Sequence, residues 1–126
     1  MCKLDPNVLT GINIQNYPTP WVDMILSGEK TIETRNQNNL KCYVGKKMGI
    51  IETQTGQAKL VGYWVLSEPK VYLGRDAFMK DFKQHRVFFP DNIEFNVKYG
   101  YPIISVEKLD EPVLITSRGI VSRKLM

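Results

Sequence analysis

Short apolar runs joined by very short breaks constrain this chain more than any other feature. Met48–Thr53 and Ala58–Leu66 are rich in β-branched and aromatic residues, and Gln54-Thr-Gly-Gln57 between them reads as a hairpin turn with Gly56 at its tip. Connections that short leave no room for a crossover helix, so strands joined this way pair antiparallel. Further strands are expected at Gly11–Gln15, Lys30–Thr34 and Tyr101–Val106, with a short apolar run at Val113–Ile115 and a last edge strand in Gly119–Arg123. Leu109-Asp-Glu-Pro112 is read as a break, because proline cannot donate to a sheet ladder. Gly62, inside the Ala58–Leu66 run, marks a bulge or a close backbone approach.

Two short helices complete the reading. Thr19 is expected to cap a helix over Pro20–Ser27, with Pro20 at its first position and Gly28 at its C-terminal turn. Trp21, Val22, Ile25 and Leu26 then share an apolar face, which assigns Trp21 to the core. Asp76–His85 is the second helix, with Phe78, Met79 and Phe82 on one side and Lys80, Asp81 and Lys83 on the other. Pro90-Asp-Asn92 is read as a turn. The fold class is therefore α+β, mostly β: a mixed or antiparallel barrel of about five or six strands with two short helices on its rim. With 126 residues the chain is expected to form one domain over 11–126, preceded by a loose lead-in over 1–10.

Composition excludes several classes of function. A net charge of +4 permits a polyanionic partner without demanding one. Cys2, expected in the loose terminus, and Cys42 form no C-x-x-C pair, and His85 is the single histidine, so neither a metal site nor another cofactor is expected. His85, near a helix end, is expected at the surface or in a cap. Ser117 and Ser122 have no histidine at triad spacing. No charged segment leads into a long apolar stretch at the start, and no apolar run approaches the roughly 20 residues that span a membrane. A cytoplasmic protein without a membrane partner is the expectation.

The densest polar stretch is Ser27-Gly-Glu-Lys-Thr-Ile-Glu-Thr-Arg35. Strand alternation places Thr31, Glu33 and Arg35 on one face and Ile32 on the other, while Lys30, at the turn, is free of the alternation. A lysine, a carboxylate and a guanidinium would converge there. Such a group can hold a phosphate or a base carbonyl, accept from an exocyclic amine, or move a proton. The bland alternative is an ordinary surface ion pair between Glu33 and Arg35. Aromatic candidates for stacking on bases are Tyr17, Tyr43, Trp64, Tyr72, Tyr99 and Tyr101, most of them expected to be at least half-buried. Basic clusters lie at Lys41/Lys46/Lys47, Lys80/Lys83/Arg86 and Arg118/Arg123/Lys124; the last has no acidic residue beside it and reads either as an extension of a phosphate-contacting face or as a solvated tail.

Trp21–Arg35 closely resembles the signature of ASCH domains, in the PUA-like superfamily: a helix followed by Gly-x-Lys-Thr-x-Glu-x-Arg. Tyr43–Ile51, Lys59–Trp64, and Tyr99–Ile104 with Leu109–Val113 resemble later segments of that family in the same order, so the resemblance covers roughly Gly11–Arg123. It implies a PUA-like barrel with a cleft lined by the motif. Lys30, Glu33 and Arg35 would line the cleft, Gly28 and Thr31 would supply shape and hydrogen bonds, and Lys46 and Lys47 would lie near its mouth. Three readings stay open, the least favoured being an interaction module that recruits a protein partner through the barrel surface, for which the sequence shows no exposed apolar stripe. The chain binds RNA, a nucleotide or a nucleoside, or it is a hydrolase acting on a modified nucleoside or on RNA with Lys30 and Glu33 as its catalytic pair. In the branch of the family that deacetylates acetylated cytidine, a threonine nucleophile stands where this chain has Glu33. A carboxylate does not replace a hydroxyl nucleophile, so Glu33 would act as a general base and Lys30 would hold the oxyanion.

Overall fold

The structure, a computed structural model, describes residues 3–88 and 97–125; Cys2 and the expected turn at Pro90–Asn92 lie outside them. In chain order the elements are β1 (Thr10–Gln15), α1 (Trp21–Leu26), β2 (Ile32–Arg35), a 3₁₀ turn (Lys41–Tyr43), β3 (Lys47–Thr53), β4 (Lys59–Leu66), β5 (Lys70–Tyr72), α2 (Arg75–Lys80), α3 (Phe82–His85), β6 (Lys98–Leu114) and β7 (Ser122–Lys124). The expected mostly-β α+β fold is present. A curled mixed sheet runs β2-β6-β4-β3-β1-β7 as a half-barrel, and β5 also pairs with β6. The β1–β3 pair is parallel and every other pair is antiparallel. That parallel pair is possible because α1 and β2 are inserted between its strands, giving the chain the length a crossover requires.

Side-chain alternation builds two cores, one on each face of the sheet. Ile12, Ile14, Met48, Ile50, Trp64 and Leu66 pack with Val22 and Ile25 of α1. On the other face Ile51, Leu60, Tyr63, Leu109 and Ile115 pack with Val8. The alternation changes phase along β4: Leu60 and Tyr63 face one core, Val61 and Trp64 the other. Gly62 stands at the change, where the β4–β6 register shifts, and a Cβ there would sit 2.3 Å from the Glu107 carbonyl oxygen. Both expectations for this glycine, a bulge and a close approach, hold.

Several local expectations are corrected. Leu109–Pro112 does not end a strand. It lies inside the 17-residue β6, at an interruption of pairing between Lys108 and Val113, so the missing proline N–H costs no ladder bond. Asp76–His85 is two helices, parted at Asp81, whose carboxylate accepts from the Tyr72 hydroxyl (2.6 Å) and Lys70 Nζ (3.1 Å). Thr19 does not cap α1; Asn16 Oδ1 accepts the Asp23 N–H instead. The lead-in is held from residue 5: Val8 is buried, the Asp5 N–H donates to the Tyr63 hydroxyl, and its carboxylate accepts from Lys47. Among the described residues no helix is long and apolar enough to cross a membrane.

Candidate functional site

Gly28 initiates the site. Its φ of +83° reverses the chain after α1, a conformation glycine adopts without strain, and returns Lys30 beneath the helix, where its N–H donates to the Met24 carbonyl. The Lys30 side chain turns inward and is only 2% exposed. Two residues of β2 then reach the same place by alternation: Glu33, also buried, and Arg35.

These side chains face a cleft of about 440 Å³ where the half-barrel stays open. One wall is β2; the other is Asn13–Gln15 of β1 with Gly119 and Ile120 just before β7 and Arg123 within it. Arg35 spans the gap, its Nε donating to Glu33 Oε2 (3.0 Å) and its Nη2 to the Asn13 carbonyl (3.2 Å). Glu33 Oε1 is left with Lys30 Nζ at 3.9 Å, a charge contact longer than a hydrogen bond. Lys30 Nζ donates one proton to the His85 carbonyl and lies 4.8 Å from the Trp21 ring centroid. Burial pulls its pKa below the ordinary lysine range; the Glu33 carboxylate works against that shift and the Arg35 guanidinium adds to it.

His85 supports Lys30 from behind. It is fully buried rather than at the surface, correcting the expectation, and its ring stacks on Phe78 with centroids 4.0 Å apart. Nε2 lies 2.7 Å from the Phe78 carbonyl, and Nδ1 accepts the Val87 N–H at 2.9 Å. A carbonyl only accepts and an N–H only donates, so the ring is the neutral Nε2–H tautomer. Burial holds its pKa below the ordinary histidine value.

Of the residues expected in the cleft, the fold brings Lys30, Glu33 and Arg35 together there. Gly28 shapes the turn outside it. Thr31 is exposed, its N–H donating to the Gln84 carbonyl and its carbonyl accepting from Ile103 N. Lys46 is exposed and does not line the cleft. Lys47 pairs with Asp5 and Glu107 and lies over the Tyr63 ring. The reason is strand length: the cleft takes Thr53 at the far end of β3, about 20 Å from Lys47 at about 3.3 Å per residue.

Sequence reasoning missed Trp21 as a lining residue; Arg123 it singled out only within the Arg118/Arg123/Lys124 cluster, read as a phosphate-contacting face or a solvated tail, and not as a residue of this cleft. Trp21 is half-buried and presents its ring to the cleft, because its position on α1 is the edge of the apolar face, not its centre. Trp64, Tyr72 and Tyr101, offered above for stacking, are buried. Three cations, Lys30, Arg35 and Arg123, thus share the cleft with one carboxylate. Among the described residues no group of three or more histidine, cysteine, aspartate or glutamate side chains is placed to hold a metal ion. No family model matches the chain, and no curated protein matches it.

Proposed function

We propose that the cleft binds a nucleobase, presented by RNA or by a free nucleotide or nucleoside. The observation that carries this reading is the buried Lys30–Glu33 couple beneath the Trp21 ring. A base offers a flat face, a carbonyl or ring nitrogen that accepts, and an amine or imino group that donates. Trp21 matches the face, the unspent Lys30 protons match the acceptor, and Glu33 Oε1 matches the donor. The resemblance of Gly28–Arg35 to the ASCH signature agrees with this chemistry. A cleft of about 440 Å³ suits one small ligand more than an extended strand. The parts of a longer RNA beyond one nucleotide would lie outside it.

Fluorescence anisotropy with short labelled single-stranded RNA and DNA, joined by calorimetry with free nucleosides, tests the reading. Lys30→Ala is expected to weaken binding at least tenfold while its circular dichroism matches the parent. Binding that is indifferent to Lys30→Ala refutes the site. One observation also favours hydrolysis in the same cleft: Glu33 Oε1 accepts no hydrogen bond among the described residues and stands where it could take a proton from water, beside the Lys30 ammonium as oxyanion donor. In that case Glu33→Gln abolishes turnover of a modified nucleoside or RNA and still binds it.

A further inference from the structure

Arg123 comes from the far end of the chain, outside the Gly28–Arg35 motif, yet it lines the same cleft. Its Nε donates to Asn13 Oδ1 (3.0 Å) and its Nη1 to the Ser117 carbonyl (3.1 Å). Arg35 Nη2 donates to the main-chain carbonyl of the same residue, Asn13. One β1 residue therefore pins two guanidiniums from opposite walls of the open seam. The Asn13 amide nitrogen donates in turn to the carbonyls of Gly119 and Ile120, so the pin is itself fixed. Among the described residues each arginine spends two of its five N–H donors in these bonds and on Glu33, leaving three. Arg123 meets no carboxylate among the described residues.

Arg35 has the Glu33 carboxylate against its Nε, but Arg123 is held by neutral carbonyl and amide groups alone and meets no anion among the described residues. A tetrahedral oxyanion supplies the missing charge, because each guanidinium can present further N–H donors to it. We propose that Arg35 and Arg123 form a phosphate subsite, so that the cleft takes one phosphorylated nucleotide unit, base inward on Lys30 and Glu33 and phosphate outward at the seam. This rests on reading the inner cleft as a base site, and the test separates the two.

Calorimetry would compare each of the four common nucleosides with its 5′- and 3′-monophosphate, using the parent, Arg123→Ala and Arg123→Lys. For at least one base the monophosphate is expected to bind tenfold or more tighter than its nucleoside. Arg123→Ala should bring that ratio below threefold, and Arg123→Lys should fall between. Equal affinities for nucleoside and monophosphate in the parent, or a ratio untouched by Arg123→Ala, overturn the subsite. A short RNA oligonucleotide serves as a second arm: if it shows the Arg123 dependence and no monophosphate does, a free nucleotide is excluded and the proposal fails as stated. The parent is also titrated with inorganic phosphate while the arginine Nε–Hε signals are followed by NMR. If no nucleoside or nucleotide binds but phosphate shifts the Arg35 and Arg123 signals, the base reading falls and the oxyanion subsite stands. If those signals stay still as well, both fall.

Discussion

Replacing Glu33 by glutamine tests the electrostatics of the cleft through stability alone, without knowing the ligand. Glu33 Oε1 stands 3.9 Å from a Lys30 ammonium that is 2% exposed. Two unit charges at that distance attract by about 4 kcal/mol at an effective dielectric constant of 20. Water in the cleft screens part of this, and glutamine keeps an oxygen for Arg35, so the expected loss is about 2–3 kcal/mol. Urea unfolding measures it without adding ions; with a slope of ~1.5 kcal/mol/M the midpoint falls by about 1–2 M at unchanged slope. Lys30→Met supplies the counter-test, because it removes the desolvated cation rather than stranding it. It should unfold within about 1 kcal/mol of the parent, or above it, and the double variant should regain most of the Glu33→Gln loss. The pH dependence has a definite sign. Burial lowers the folded pKa of Lys30 below 10.5, so between the two values the unfolded chain holds the extra proton and stability rises with pH. The Glu33→Gln deficit therefore shrinks as pH rises toward 10.5. A Glu33→Gln unfolding free energy within about 0.5 kcal/mol of the parent, or losses that simply add in the double variant, would refute the claim that this carboxylate holds a buried cation in place.

Two further predictions concern the scaffold. Burial keeps the folded pKa of His85 below 6.5, so the unfolded chain takes up a proton first as pH falls and stability is lost as pH drops below 6.5. Because His85 is the single histidine, urea midpoints at pH 7.5 and 5.5 should differ in the parent and converge in His85→Gln; a flat parent profile contradicts the buried neutral tautomer. Gly62→Ala would set a methyl group against the Glu107 carbonyl and should cost more than about 2 kcal/mol, whereas Gly74→Ala, with open space and extended backbone, should change stability by less than about 0.5 kcal/mol. Equal thermal shifts for the two would contradict the β4–β6 bulge.

The convergence of Lys30, Glu33 and Arg35 was legible because it rests on local rules, a glycine turn and period-two alternation within eight residues of sequence. Most strands were legible for the same reason, as was Gly62; the three-residue β5 was not, because Lys70–Tyr72 is too short to show alternation and is defined by its pairing with β6. What escaped depends on contacts far apart in the chain. Arg123 and Asn13 meet across 110 positions, and nothing in either neighbourhood announces it. Trp21 has apolar helical spacing whether it faces the core or its margin. Lys47 was placed by resemblance, while its true neighbours, Asp5 and Glu107, come from the lead-in and a remote strand. β6 was cut at Pro112 because a proline reads as a break, and only the partner strand shows that the ladder is already interrupted there.

The open seam admits two explanations. Sheet edges commonly carry charges to discourage pairing with other chains, and β2, a four-residue edge strand with Glu33 and Arg35, fits that use. Edge protection needs charge that reaches solvent, however, and it is satisfied by a flexible lysine on the rim. Here Lys30 and Glu33 are almost wholly buried, a helix carbonyl fixes the ammonium, and a buried histidine with a single tautomer fixes that carbonyl's segment. Burying ions adds little or nothing to stability compared with apolar side chains of similar size. A chain selected for the fold alone would gain by placing methionine at position 30, and a Lys30→Met protein that is as stable as the parent yet loses its ligand would separate the two explanations directly. The buried charges would then be kept for what enters the seam, and the half-barrel would be left open there for the same reason.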